Sequence, residues 1–423
     1  MNTNQNISDN PAEQTSAGFY DPSTESFPTS LEGKVLFYIA IAFSVFQVIT
    51  AAHLLDLPSQ ILRAVHVGFL GLLGFPLVCA LKKQNNFFKI LSWLAGVLSI
   101  VIAIYQTIEY TPLITRYGSL LPTDIFFGVI ATILVLSAAW VVMGYALTLI
   151  ALIFLSYCFF GNYLPGMFQH RGYDFKQIIE HMSYGTEGIY GIPIYVSCTF
   201  VFLFILFGSF LERAGMIKLF NDVALGLFGH TRGGPAQVCV ASSALMGTIS
   251  GSGIANVVTS GQFTIPLMKK YGYSSAFAGG VEATSSMGGQ IMPPVMGAVA
   301  FIMAETLGVK YFEIVKAAII PAILYYFSCW WMVYLEAGKR NLFGMPKNEL
   351  PSVINALKKG WYLVLPLAVL VYLLFSGYTP LYAGTIGLAF IIFLILGAPI
   401  AGTLSKYKRV IFWIFLGLVS ASF

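Results

Sequence analysis

Residues 235–305 read PAQVCVASSALMGTISGSGIANVVTSGQFTIPLMKKYGYSSAFAGGVEATSSMGGQIMPPVMGAVAFIMAE. The stretch is apolar enough for a bilayer, yet it is interrupted where an ordinary membrane helix is continuous. Residues 235–249 give about 22 Å of helix at 1.5 Å per residue, short of a hydrocarbon core of about 30 Å. Ser250, Gly251, Ser252 and Gly253 follow, four small residues that favour unwinding. A second short apolar arm, 254–268, ends at Lys269 and Lys270. Two short arms around a Gly/Ser tip predict a re-entrant helical hairpin over 235–268. Backbone that leaves the helix at membrane depth is tolerated only where it is buried in protein or lines a cavity.

The next segment, 275–306, predicts a broken helix. Gly288, Gly289 and Gln290, then Pro293 and Pro294, sit near its middle. The prolines supply no backbone N–H and push the residue before each out of helical geometry, which frees carbonyls one turn earlier. A hairpin followed by a discontinuous helix is the arrangement that builds ion and substrate sites in secondary transporters. The competing explanation is packing, since Gly, Ser and Ala are common at helix interfaces and Pro in membrane helices. Two adjacent breaks with polar residues at both favour the site. Its candidate members are Ser250, Gly251, Ser252, Gly253, Asn256, Glu282, Gly289, Gln290, Pro293 and Pro294. Neutral oxygens suited to Na⁺ come from Ser250, Ser252, Asn256, Ser285 and Ser286. Glu282 is the one acidic residue well inside the segment; it either faces a cavity, where it could carry H⁺ instead, or reaches water from the cytoplasmic end.

Arg232-Gly233-Gly234-Pro235, GTISGSG at 247–253, IPLMKKYGY at 265–273 and GGQIMPP at 288–294 together resemble the large membrane subunit of tripartite ATP-independent periplasmic (TRAP) transporters. The resemblance covers roughly Asp124 to Lys339. Order and spacing are most similar to the fused form, which carries small and large membrane subunits in one chain and is usually paired with a TAXI-type periplasmic substrate-binding protein. It implies an all-α polytopic membrane protein, half of an inverted-repeat, elevator-type transporter, in a bacterial inner membrane. It also implies Na⁺ sites where hairpin tips meet broken helices, and a small organic-acid substrate. The expected organisation is a disordered polar tail (1–33), a four-helix small-subunit-like module (34–143), and a large-subunit-like transport domain (144–423) whose first half holds the hairpin and the broken helix. The family's large subunit has two such halves. No second Gly/Ser tip with a Pro-interrupted helix is found before Phe423, so the chain is expected to be a fragment or truncated form of a longer permease.

Composition agrees with the membrane reading. Hydrophobic residues make up 57% and charged residues 10%, with a mean hydropathy of +0.79, values foreign to a soluble domain. The net charge of +5 forms no continuous basic face, so no nucleic acid partner is expected; the basic residues lie between apolar spans, where membrane lipids are the surroundings. The five cysteines are irregularly spaced in apolar segments and read as small core residues. Residues 1–32 lack the basic start and apolar core of a signal peptide.

Apolar spans are predicted at 35–52, 64–81, 88–108, 125–142, 145–160, 189–211, 314–336, 361–375 and 380–397, with an incomplete one from Val410. Only Met143 and Gly144 separate the fourth and fifth, which predicts a tight turn or, alternatively, one long tilted helix. Residues 175–182 suit a short surface helix within a loop whose His170 and His181 read as solvated rather than metal-binding. A second surface helix is expected at 351–358. With the N-terminus inside and the turn at Gly144, all of the 23 basic residues except Arg63, Arg116, Arg171, Lys176, Lys310 and Lys316 fall on the cytoplasmic side, a positive-inside bias. His66, inside the second span, reads as a packed helix-interface residue.

No HExxH, P-loop, GxSxG or Rossmann pattern occurs, so no enzyme and no organic cofactor are expected. The function expected is ion-coupled secondary uptake of small organic anions; the alternative is a channel or structural membrane subunit without coupled transport.

Overall fold

The computed structural model describes residues 30–82 and 84–403. The polar tail and the incomplete span from Val410 lie outside them, apart from the tail's last residues, which join the first helix. Within the described residues the chain is helical throughout, without strands. Among the described residues, eight helices are long and apolar enough to cross a membrane, and large apolar side chains such as Ile320, Ile323, Phe327 and Met332 stand exposed along their outer faces. That pattern suits a lipid solvent. The chain is a multi-pass helical membrane protein.

The first helices are α1 (Leu31–Ala51), α2 (Ser59–Leu81), α3 (Asn86–Ile108), the short α4 (Tyr110–Thr115), α5 (Pro122–Met143) and α6 (Tyr145–Phe160). Gly144 alone separates α5 from α6, with φ 89° and ψ 177°, a conformation open essentially to glycine. The tight turn therefore holds and the single long helix does not. Between α3 and α5 a buried carboxylate organises the connection. Asp124, with a fully buried side chain, accepts from Arg116 at 2.8 and 3.0 Å, from Leu121 N at 2.8 Å and from Tyr105 Oη.

The predicted surface helix is α7 (Phe175–Ser183), capped by Asp174 and Gln177. It does not lie free on a surface. Its Ile179 and Ser183 pack on Gly128 of α5, and Glu180 accepts from Gly118 N at 2.5 Å. His170 is likewise engaged rather than simply solvated: one ring nitrogen bonds Tyr157 O at 2.9 Å and the other accepts from Gly172 N at 3.0 Å.

The central helix is α8 (Ile192–Arg213), half of whose apolar window is buried, more than in the other spans. Its Leu203, Phe204, Phe207 and Leu211 pack against Met246, Ile249, Phe301, Leu370 and Leu388. A π-helical turn at Ser197–Val201 interrupts it. There His66 of α2 bridges Ser197 Oγ at 3.0 Å and Gln47 of α1 at 2.6 Å, so His66 is indeed an interface residue.

Beyond α8 come α9 (Met216–Phe228), α10 (Gly234–Ser250), α11 (Gly253–Lys270), α12 (Ser275–Met287), α13 (Ala298–Leu307), α14 (Tyr311–Lys339), α15 (Val353–Phe375) and α16 (Pro380–Thr403). Sequence reading passed over α9, an amphipathic helix packed on α10 and α15. The separate helix expected at 351–358 is instead the first part of α15. Pro351 precedes that helix, and Gly360 packs on Leu219 within a continuous one.

Candidate functional site

The hairpin is built as the residue pattern demands. Its arms, α10 and α11, have 17 and 18 residues, about 26 Å of helix each, and neither is among the eight long apolar helices. Only Gly251 and Ser252 leave helical geometry at the tip. Gly251 adopts φ 58°, and Ser252 caps α11 by accepting from Ala255 N at 3.3 Å. The unwinding is thus shorter than the four residues expected. Asn256 Nδ2 donates to Ser243 O at 2.9 Å and holds the arms side by side.

The broken helix is α12, a 3₁₀ turn at Gly288–Gln290, an irregular stretch containing the cis Pro293–Pro294 peptide bond, and α13. Several of the freed carbonyls find partners. Tyr311 Oη donates to Pro294 O at 3.0 Å and Val295 O at 2.6 Å, Gly297 N donates to Gln290 O at 2.7 Å, and Tyr325 Oη donates to Thr284 O at 2.6 Å.

The two breaks meet. A Cβ placed on Gly247 would lie 2.5 Å from Gly289 Cα, one on Gly251 would lie 1.8 Å from Met296 O, and one on Gly253 would lie 3.0 Å from Met287 Cα. Backbone therefore touches backbone along the line where the hairpin tip crosses the break, which only glycines permit.

Beside this crossing lies a polar node. Glu282 is 0% exposed, so it does not reach water from the helix end. Its Oε1 accepts from Ser260 Oγ at 2.5 Å, Ser286 Oγ at 2.7 Å and Ser243 Oγ at 3.4 Å; its Oε2 accepts from Cys239 Sγ at 3.0 Å and from Thr264 Oγ1. These groups come from α10, α11 and α12, so one carboxylate ties both hairpin arms to the first half of the broken helix.

Of the predicted residues, Asn256, Glu282 and Ser286 join this node, while Gly251, Gly253 and Gly289 form the crossing. Ser285 instead donates to Val281 O of its own helix at 2.5 Å, Ser252 serves as a cap, Gln290 is exposed, and Pro293 and Pro294 are half-buried. Ser250 Oγ and Tyr326 Oη are buried and without hydrogen-bond partners among the described residues. Hydroxyl and phenol oxygens of this kind are the hard, neutral donor type that small hard cations select. Sequence reading missed Ser243, Ser260 and Thr264. Asn256, Ser260 and Thr264 recur every fourth residue along this arm, which puts them on one helix face and was a legible signal.

The family described as "Tripartite ATP-independent periplasmic transporter, DctM component" matches residues 130–414. The chain is 28% identical over 194 residues to the C4-dicarboxylate TRAP transporter large permease protein DctM of Pseudomonas aeruginosa, covering 46% of this chain and 45% of that protein. It is 28% identical over 203 residues to the sialic acid TRAP transporter large permease protein SiaM of Vibrio cholerae, covering 48% and 47%. It is 25% identical over 195 residues to the 2,3-diketo-L-gulonate TRAP transporter large permease protein YiaN of Escherichia coli, covering 45% and 44%. The chain thus spans about half the length of these relatives.

Proposed function

Because the chain belongs to the DctM family of tripartite ATP-independent periplasmic transporters, we propose that it is a membrane permease for ion-coupled secondary uptake of small organic anions. The observation that carries this reading is the crossing of hairpin tip and helix break, with Gly251 seated against Met296 O and Gly247 against Gly289. Two interrupted helices in contact bring helix ends and hydroxyls together inside an apolar body, an arrangement suited to binding a dehydrated ion or a carboxylate. The names of these three relatives point to acidic solutes, and carboxylates are the substrate class we assign. Delivery by a periplasmic substrate-binding protein of the TAXI type, an inner-membrane location and a cytoplasmic N-terminus complete the proposal. The module 34–143 would stay fixed while 235–305 moves in an elevator-like step.

Na⁺ is the coupling ion we favour, with Ser250, Ser252, Asn256, Ser285 and Ser286 as candidate ligands and H⁺ carried by Glu282 as the alternative. One observation favours a second reading, a channel or structural subunit. Ser252, Ser285 and Tyr311 spend their hydrogen bonds on the protein's own backbone, as packing alone would require. Uptake into vesicles holding the full-length protein, supplied with its binding protein, separates the two. Saturable uptake driven by an ion gradient supports the transporter; downhill flux without saturation or ion dependence would overturn it.

A further inference from the structure

Tyr326 belongs to α14, outside both the hairpin and the broken helix, and no motif marks it in the sequence. Its side chain nevertheless ends where the two cross. The Tyr326 hydroxyl is 3.4 Å from the position a Cβ on Gly247 would take, and its Cζ is 2.8 Å from the position a Cβ on Gly288 would take. The residue is 9% exposed, and its Oη has no hydrogen-bond partner among the described residues.

The neighbouring tyrosine shows what a structural role looks like at the same place. The Gly288 N–H, which in a continuous helix would reach Thr284 O, turns to Ser286 O. Tyr325 Oη then takes up Thr284 O at 2.6 Å. Tyr325 therefore seals a backbone group released by the break. Tyr326 seals none, although buried tyrosine hydroxyls nearly always have a partner. Its oxygen faces the Gly247–Gly289 contact, where neither residue offers a side chain.

We propose that Tyr326 Oη is a further oxygen ligand for the cation bound at the crossing of hairpin and helix break. The inference rests on the sodium reading above and adds α14 to the elements that the ion holds together. A phenol oxygen is neutral, accepts from no charged group here, and supplies the hard donor that an alkali cation selects. Ion binding would then fix hairpin, broken helix and α14 as one unit.

The test needs no transport. The unfolding midpoint of the full-length protein in detergent is followed as NaCl replaces choline chloride at constant ionic strength, which gives a half-saturating Na⁺ concentration by linkage. Wild type, Tyr326→Phe and Tyr325→Phe are compared. Tyr326→Phe removes only an oxygen without a protein partner, so its midpoint without Na⁺ should match wild type, while half-saturation should move up roughly tenfold or more. Tyr325→Phe should lower the midpoint at every Na⁺ concentration and leave half-saturation in place. Wild-type half-saturation in Tyr326→Phe overturns the proposal and leaves the sodium reading standing. A lower midpoint in Tyr326→Phe at all Na⁺ concentrations, with half-saturation unchanged, also overturns it and assigns the hydroxyl to a bound water. No difference between NaCl and choline chloride in wild type overturns the sodium reading and this inference together.

Discussion

Gly251 and Met296 are locked against each other: a Cβ on Gly251 would lie 1.8 Å from the Met296 carbonyl oxygen, and both residues hold positive φ, 58° and 54°. The glycine is obligatory twice over, by its backbone conformation and by its contact. Gly251→Ala should force the hairpin tip off the break and destabilise the protein by about 1–3 kcal/mol or more. Gly280→Ala, in a helix with nothing within 4 Å of the new methyl, should be neutral or stabilising by up to ~1 kcal/mol. Thermal unfolding in detergent compares them. Equal midpoints for the two variants would mean the tip is not seated in the break.

Glu282 predicts a graded series. Its carboxylate receives hydrogen bonds from three helices, and an alanine there strands hydroxyls at roughly 1–3 kcal/mol for each bond left unmade. Glu282→Ala should therefore unfold well below wild type. Glu282→Gln keeps the shape and one acceptor oxygen and should fall between. A wild-type midpoint for the alanine variant would show that the node does not hold the arms.

Tyr311 makes the other half of the break rigid. Its ring stacks on Phe301 at a centroid distance of 4.2 Å, and its hydroxyl serves Pro294 O and Val295 O. Tyr311→Phe keeps the stacking and loses the bonds, so a loss of about 1–2 kcal/mol is expected. Hydrogen exchange should rise locally around 294–298. If exchange rises equally over the whole chain, the hydroxyl is not a local tie.

The sequence made the hairpin and the break legible because both are written in backbone-altering residues. Gly251 forms the tip, and Gly288, Gly289, Pro293 and Pro294 fall within the break. What it hid was partnership. Nothing in the pattern around Ser285 shows that its hydroxyl turns back to Val281 O, nor that Tyr311 and Tyr325, from a different helix, take the freed carbonyls. The tyrosine contacts depend on which helix packs beside the break, and long-range packing leaves no local periodicity; the Ser285 bond is local, but the sequence does not say whether a serine hydroxyl turns to its own helix or into a site. Glu282 shows the same limit. Its depth in the segment was readable, whereas its burial follows from Ser260 and Thr264 closing over it. The helix Met216–Phe228 went unseen because its charged residues, Lys218 and Asp222, made it resemble a loop.

Orientation is open to direct labelling. In a variant without native cysteines, Asn86→Cys should react with a membrane-impermeant maleimide only from the cytoplasmic side, and Tyr117→Cys, at a residue 61% exposed, only from the periplasmic side. The alternation depends on the helix Asn86–Ile108 crossing the membrane once between the two positions. Exchanged accessibility would reverse the proposed topology, and labelling of both positions from one side would break it.

The coupling ion is decided by two variants and a rescue. On the sodium reading, Ser252→Ala should weaken the Na⁺ dependence of uptake. Ser252 Oγ also caps α11 by accepting from Ala255 N, and losing the cap alone costs about 1 kcal/mol. The alanine variant therefore confounds ligand and cap. Ser252→Thr keeps a hydroxyl for both roles and should restore Na⁺ dependence, whereas Ser252→Gly is a tolerated cap without the oxygen and should not. If Ser252→Gly behaves as wild type, Ser252 is a cap and nothing more. Glu282→Gln should leave Na⁺-driven uptake largely intact, with its effect confined to stability. Uptake that ignores Na⁺, follows a pH gradient and is abolished by Glu282→Gln would remove sodium from the mechanism and make Glu282 the proton carrier.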